Sequence, residues 1–171
     1  SMKTDDRQRV KKEKMRSMAK EISEALAPLV REGQVRITEG ALAVTVDINA
    51  SVLFAPGDAR LDAAAVQALT AVARILAPTD FPVTVEGHTD NTPIATPMFP
   101  SNWELSGMRA SAVVRLFIDQ GVDPRRLTAT GYADQRPVDD NASPEGRSRN
   151  RRVAITIESK APDSPIEIKI P

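Results

Sequence analysis

Asp90 and Arg109 are the two side chains of this sequence whose types and positions best suit the binding of a charged ligand. Asp90 follows the apolar run 81–87, which is typical of a strand, and Arg109 lies within the apolar stripe of the next predicted helix. Because an unpaired buried guanidinium is very costly, Arg109 must either reach solvent or have a partner. Two alternatives are open. The two charges pair with each other, or they stand apart and bind a ligand that carries both an ammonium and a carboxylate.

Short polar residues surround Asp90. Thr89, Asn91 and Thr92 can bind a carboxylate or amide through their side chains and backbone amides, and they can equally form an ordinary turn. His88 could act as a general base beside Asp90, but a hydrogen bond from His88 to the loop backbone is the favoured interpretation.

The sequence offers little for catalysis. It contains no Cys and one His, which excludes a thiolate nucleophile, a Cys-based zinc site and any metal site with two or more His. No Ser lies in a recognisable nucleophile motif, and there is no Gly-rich phosphate loop. We therefore expect no enzyme, no bound metal and no cofactor.

An arginine-rich segment, 145–153, follows later in the chain, with four Arg in six positions. The formal net charge of zero and the shortage of aromatic residues argue against nucleic acid as a partner. We expect some of these arginines to brace the sheet against acidic loops, and one of them to line the same cleft as Asp90.

The elements that must position these residues follow from periodicity. Alternation of apolar residues predicts strands at 35–38, 41–48, 83–85, 127–132 and 152–158, with Leu42, Val44, Val46 and Ile48 on one buried face. Helical spacing predicts two long helices at 61–77 and 101–120, the second opened by a capping box of Ser101 and Glu104. This order predicts a two-layer α/β (α+β) sandwich.

The two ends of the chain differ from this middle part. Residues 1–34 are highly charged and contain an amphipathic helix, whereas 160–171 contain three prolines and are expected to form a loose tail. No apolar run reaches the length of a membrane span. The opening Ser1-Met2 resembles a cloning remnant, so we expect a soluble fragment of a longer protein, without the anchor or export signal that could precede it.

Five short motifs in register carry a family resemblance. They are Gly87-His88-Thr89-Asp90, Asn102-Trp103-Glu104-Leu105-Ser106, Arg109-Ala110, Gly131-Tyr132 and Asn150-Arg151-Arg152-Val153. Through them, residues 35–158 closely resemble the C-terminal domain of the OmpA-like (OmpA/MotB) family. The stretch 90–106 further resembles the flagellar stator branch of that family, MotB and its relative MotD.

The resemblance implies a mixed sheet backed by helices and a binding site for the diaminopimelate residue of the peptidoglycan stem peptide. By motif position, Asp90 would bind the ammonium group and Arg109 a carboxylate. Arg152, Asn102 and Leu105 would line the pocket. Thr89, Asn91 and Thr92 would supply polar or backbone contacts.

The resemblance also implies a setting. Residues 35–159 would be the wall-binding domain, 1–34 a periplasmic linker helix and 160–171 a flexible tail. The whole protein would be a homodimeric inner-membrane protein with a periplasmic domain, associated with a stator partner of the MotA or MotC type. Two alternatives stay open: an interaction module in which the Asp90–Arg109 pair is purely structural, and a wall hydrolase using His88, Asp90 or Glu86.

Overall fold

The computed structural model of this chain describes residues 2–159 and 166–171. The strands are β1 (Val35–Glu39), β2 (Ala43–Asn49), β3 (Val83–His88), β4 (Leu127–Gly131) and β5 (Arg152–Glu158). The helices are α1 (Met2–Ala25), α2 (Ala27–Arg31), α3 (Ala50–Leu53), α4 (Ala63–Leu76), α5 (Asn102–Asp119) and α6 (Pro144–Asn150). A single 3-10 turn, Pro124–Arg126, precedes β4.

The five strands form one mixed sheet in the order β1-β2-β5-β3-β4. All neighbouring strands are antiparallel except β3 and β4, which are parallel. The predicted order of strands and long helices is confirmed. Parallel β3 and β4 require a crossover connection, and α5 supplies it.

One face of the sheet carries the core. Val44, Val46 and Ile48 of β2 are buried as the alternation predicts. The inclusion of Leu42 was wrong, because β2 begins only at Ala43 and Leu42 lies in the preceding turn, where it is 56% exposed. The opposite face of the sheet is polar, since residues such as Thr45 and Thr156, which bond each other through their hydroxyls, alternate with the buried ones.

Three long helices pack on the core face: the two predicted as part of the sandwich and the amphipathic helix predicted in the N-terminal segment. Besides α4 and α5, the second half of α1 is buried there through Met15, Met18 and Ile22, and Leu26, which follows α1, is buried with them. Residues 3–14, in the first half of α1, are exposed. The assignment of 1–34 to a separate segment stays a prediction. Because only the second half of α1 is buried, mutations in that half should change stability more than mutations in the first half.

We predict that Ile22→Ala lowers the free energy of unfolding by about 3 kcal/mol, because it leaves a cavity in a closed core. Val10→Ala, a truncation in the same helix at a residue that is 43% exposed, serves as the matched control and should change it by less than about 0.5 kcal/mol. Urea unfolding curves give both values. Equal, small effects would mean that α1 does not depend on the core.

The helix starts are set by side-chain caps. The Asp62 carboxylate accepts a hydrogen bond from the Ala65 amide and starts α4, so that Leu61, predicted to be helical, lies outside it. The Ser101 hydroxyl accepts from the Trp103 amide and donates to the Glu104 carboxylate. The predicted Ser101–Glu104 cap therefore exists, although Glu104 bonds the Ser101 hydroxyl rather than a backbone amide.

Helix α5 lies unusually close to β3 and β4. A Cβ atom placed on Gly87 would come 2.0 Å from the carbonyl oxygen of Ser106, and one on Gly131 would come 2.5 Å from the amide nitrogen of Gly107. Both atoms belong to the α5 backbone and cannot turn away. Glycine at 87 and 131 is what lets the helix that carries Arg109 approach the strand that leads to Asp90.

We predict that Gly87→Ala destabilises the fold by about 3 kcal/mol, because either the helix or the strand must shift to admit the methyl group. Gly107→Ala on the same helix is the matched control. Its Cβ would have no atom within 4 Å, so it should be neutral or stabilise by up to about 1 kcal/mol through helix propensity. Thermal unfolding of both variants tests the close approach, and equal effects would contradict it.

Candidate ligand-binding site

Asp90 lies just beyond the end of β3 and is 6% exposed. One carboxylate oxygen accepts a hydrogen bond from the Thr92 amide at 2.8 Å, and the other accepts from Nη1 of Arg151 at 2.5 Å. Burial by itself raises the pKa of Asp90, but the hydrogen bonds from Thr92 and Arg151 outweigh burial and bring the pKa below its ordinary value. Asp90 is therefore a fixed anion at neutral pH.

Arg109 projects from the second turn of α5 and is 5% exposed. Its Nε donates to the carbonyl oxygen of Asp58 at 2.8 Å and its Nη2 to that of Ala55 at 3.3 Å. The guanidinium carbon lies 4.9 Å from the centre of the Phe54 ring, a cation–π contact. Burial lowers the pKa of Arg109 to about 10, which still leaves it charged at neutral pH.

Two backbone carbonyls thus fix the orientation of Arg109, while the charge of the Asp58 carboxylate acts against burial and raises the pKa of Arg109. A guanidinium has five N–H donors, and in residues 2–159 and 166–171 no other hydrogen bond takes up the remaining three. These donors have no partner in the described residues, and a guanidinium can bind a carboxylate through two parallel hydrogen bonds.

Asp90 and Arg109 do not pair with each other in the described part of the chain. Arg151 interacts with both residues. It forms an ion pair with Asp90, and its positive charge helps to lower the pKa of Arg109. The structure thus contradicts the first alternative, a direct Asp90–Arg109 pair, whereas the binding of a ligand by the two charges stays a prediction. The site contains the carboxylates of Asp90 and Asp58 and the guanidinium groups of Arg109 and Arg151.

The other predicted residues shape the loop around Asp90. Thr89 donates its hydroxyl to the Asp90 carbonyl, and Asn102 donates its amide to the Thr92 carbonyl at 2.9 Å. Leu105 is buried in a small apolar cluster with Phe99 and Ala59. The side chains of Asn91 and Thr92 are exposed beside Asp90.

Arg152 is the predicted site residue that the structure does not bring to Asp90. Its Nε lies 3.7 Å from the Asp47 carboxylate, and its Nη2 donates to the Arg136 carbonyl. The reason is strand alternation: Val153 faces the core, so Arg152 must lie on the polar face of the sheet. Arg151, the residue before β5, reaches Asp90 instead.

The sequence predicted that one arginine of the segment 145–153 lines the cleft of Asp90, but it did not single out Arg151 or predict the helix that precedes it. Helix α6 begins at Pro144, with the Ser143 hydroxyl accepting from the Gly146 amide. It ends at Asn150, which is fully buried and bonds the backbone of Val138 and Asp139. Ser-Pro at a helix start was the available signal for α6. The alternation of β5 was the signal for Arg151, since it excludes Arg152 from the core side.

An open groove of about 1040 Å³ lies beside the site. Asp58, whose carbonyl bonds Arg109, and Ala59 form part of its wall. Met108 of α5 and Met98 line it and are exposed, at 52% and 72%. Apolar walls beside a charged site suit a ligand that has aliphatic segments as well as charged ends.

His88 lies on the polar face, away from Asp90's carboxylate, and is 4% exposed. Its Nε2 lies 3.2 Å from the Glu86 carboxylate, and its ring stacks on Tyr132 at 5.3 Å between centroids. The predicted hydrogen bond to the loop backbone was wrong, because the alternation of β3 places Glu86 on the same face. Burial lowers the pKa of His88, and the charges of Arg152 and Arg136 lower it further, while Glu86 opposes them.

We predict that stability falls as the pH is lowered from about 7.5 to about 5, because protons bind the unfolded His more readily than the folded one. The contribution of His88 is present above the unfolded pKa of about 6.5 and is lost as the pH falls through the lower folded value. His88 is the only histidine, so His88→Gln should flatten the unfolding free energy across this window. An unchanged slope in His88→Gln would contradict the buried-imidazole assignment.

Nothing in the described residues suggests a metal centre or a membrane span. No group of three or more His, Cys, Asp or Glu side chains converges within residues 2–159 and 166–171. In the same residues, no helix is both long and apolar enough to cross a bilayer.

Comparisons with known proteins agree with the fold and with the predicted resemblance. The family model of the OmpA family matches residues 53–151. Motility protein B of Bacillus subtilis is 45% identical over 76 residues, which is 44% of this chain and 29% of that protein. The chain spans about half or less of the length of the curated relatives that it matches, 48% and 29% in two of them.

Two solved structures are similar over most of the chain. The cell wall anchor of the T6SS from Pseudomonas aeruginosa has a TM-score of 0.76 and 38% identity, covering 81% of this chain and 97% of that one. The periplasmic domain of Helicobacter pylori MotB (residues 78–256) has a TM-score of 0.68 and 25% identity, covering 74% of this chain and 83% of that one. OmpA-like domains of the MotB type are non-enzymatic, which agrees with the expectation that this chain is no enzyme.

Proposed function

Since this chain belongs to the OmpA family, we propose that it binds peptidoglycan non-covalently and anchors its protein to the cell wall. The observation that carries the proposal is the separation of charges at the site. Asp90 and Arg109 are both buried and both charged, yet they do not neutralise each other. Asp90 is paired only with the partly exposed Arg151, and no ion pair of Arg109 occurs in the described residues; a buried charge without a close counter-ion is costly, which favours a ligand that carries both charges.

The proposed ligand is the diaminopimelate residue of the stem peptide. Its ammonium would bind Asp90 and its carboxylate would bind the free donors of Arg109. Thr89, Asn91 and Thr92 would contact it from the loop, and Asn102 and Leu105 would hold that loop against α5. A zwitterion suits a chain of zero formal net charge, because local rather than bulk charge must attract it.

Arg151 adds a step to this proposal. It occupies the Asp90 oxygen that a ligand ammonium would need, at 2.5 Å. An incoming ammonium would therefore replace Arg151, and the released guanidinium, which is 42% exposed, could follow the ligand carboxylate. We assign Arg151 the role at this site that the motif alone assigns to Arg152.

The wider setting is also a proposal. Relatives named motility protein B and a MotB periplasmic domain support a periplasmic wall anchor of a flagellar stator. In that setting residues 35–159 form the wall-binding domain, 1–34 lead from an inner-membrane helix and 160–171 form a tail. The protein would act as a homodimer with a stator partner of the MotA or MotC type. A T6SS cell wall anchor among the similar structures makes a secretion-system anchor the second setting to test.

The alternative function is an interaction module that does not bind the wall. The ion pair of Asp90 with Arg151 favours it, because that pair could be purely structural. Under this alternative, loss of Asp90 would lower stability without affecting any binding to cell wall.

Co-sedimentation with purified sacculi of the diaminopimelate type tests the proposal. We predict that Asp90→Asn and Arg109→Lys each weaken binding about 10- to 100-fold, since each removes charge-assisted hydrogen bonds worth about 1.5–3 kcal/mol. Asp123→Asn, which alters an exposed ion pair with Arg125 far along the chain from the site, should bind as the wild type does.

Arg151→Gln and Arg152→Gln form a matched pair within the same experiment. The proposal expects a change in affinity for Arg151→Gln and none for Arg152→Gln, whose side chain lies on the polar face of the sheet. Melting curves must show that each variant is folded. A folded wild type that stays in solution with sacculi would contradict wall binding, and normal binding by folded Asp90→Asn would contradict the site.

A further inference from the structure

Three isoleucines at the end of the chain have no cover. Ile166, Ile168 and Ile170 are 90%, 87% and 90% exposed, and they alternate with Glu167 and Lys169. Alternation of β-branched and charged residues is typical of a strand with one apolar face. Within the described residues, 166–171 belong to no strand and form no hydrogen bond with the rest of the chain.

Strand β1 presents an open sheet edge. The Asn49 amide bonds the Gln34 carbonyl and the Gly40 amide bonds the Ala43 carbonyl, which fixes the phase of the β1–β2 ladder. In an antiparallel ladder, the residues between such pairs direct their backbone groups away from the partner strand. Val35, Ile37 and Glu39 therefore present their N–H and C=O groups outwards, where a further strand could bond them.

The side chains beside this edge are apolar on one face. Val30 of α2, Val35 and Ile37 line a cavity of about 530 Å³ at this edge, whose other walls include the charged residues Arg36, Asp47, Arg149 and Arg152. Val30 is 38% exposed. The other edge strand, β4, lacks such an apolar lining. Helix α5 packs on its core face, and the exposed residue on that face is the small Ala129.

We propose that residues 166–170 of one copy add as a sixth strand to the β1 edge of a second copy. Isoleucines facing the side of Val35 and Ile37 would extend the apolar face, and the same register can place Glu167 opposite Arg36 on the polar face. Because each copy carries both the strand and the edge, the exchange is reciprocal and closes a two-fold dimer.

The second copy is preferred over the chain's own edge because 166–171 lie apart from their own sheet in the structure. Residues 166–170 could nevertheless reach the β1 edge of their own chain. The connection 159–165 can span about 23 Å when extended, and the new strand would lie three strand spacings, about 14 Å, from β5. The experiment therefore has to separate exchange between copies from closure within one chain.

Cysteine cross-linking makes that separation, because the chain contains no cysteine of its own. Arg36→Cys and Glu167→Cys are made as separate single variants, mixed in equal amounts and oxidised. Opposed residues of neighbouring strands are within disulfide range, so the mixture should give a cross-linked dimer that contains one of each variant. Thr128→Cys, on the polar face of the β4 edge, replaces Arg36→Cys in the control mixture and should give no such dimer above background.

The outcomes are distinct. Cross-linking confined to single chains of the double variant Arg36→Cys/Glu167→Cys would overturn the exchange in favour of closure within one chain. Absence of any 36–167 cross-link would overturn both. Sedimentation of the Cys-free chain is the second measurement. Ile168→Lys should raise the dimer dissociation constant about tenfold or more, since it replaces a buried apolar side chain by a charge. An unchanged dimer in Ile168→Lys would also contradict the proposal, whether or not sacculi bind.

Discussion

The contact between α5 and the strands β3 and β4 is the constraint on which the candidate site depends. Gly87 and Gly131 admit the backbone of Ser106 and Gly107 at distances that no side chain would allow. Ser106 is fully buried, and its hydroxyl accepts from the Ala133 amide and donates to the Trp103 carbonyl. This close packing fixes the first turns of α5 over the end of β3. Asp90, which follows β3, and Arg109, which lies on α5, occupy a common end of the sheet for that reason.

Electrostatics then keep the two charges distinct. Arg109 is held by the carbonyls of Ala55 and Asp58, which orient its guanidinium and leave its net charge in place. Asp90 is held by the Thr92 amide and by Arg151, the only one of its partners that carries a full charge. A ligand ammonium can displace Arg151 from the Asp90 carboxylate because the Arg151 side chain is partly exposed. In the described residues, no exposed group takes the place of Arg109 at the carbonyls of Ala55 and Asp58. Such an arrangement favours a ligand with both charges over one with a single charge.

Much of this could be predicted from the sequence, because it follows from short-range patterns. Alternation located β2 and β5, helical spacing located α4 and α5, and the motifs located Asp90 and Arg109. Two predictions failed, the packing of α1 and the choice of Arg152, and each has its own cause. Whether the amphipathic α1 packs on the core depends on tertiary contacts of Met18 and Ile22 that periodicity does not reveal. The sequence predicted β5 with its observed bounds, and the error at Arg152 arose because the site was transferred by motif position rather than by the face of β5 on which each residue lies.

The most direct test of the central claim is a titration of the ¹⁵N-labelled chain with free meso-diaminopimelate, following the Nε–H signal of Arg109 by NMR. The account predicts a saturable shift of that signal that is absent with 1,5-diaminopentane, which has the amino groups but no carboxylate, and absent in folded Asp90→Asn. A signal of Arg109 that does not move with diaminopimelate at millimolar concentration would contradict the assignment of this site to the peptidoglycan stem peptide.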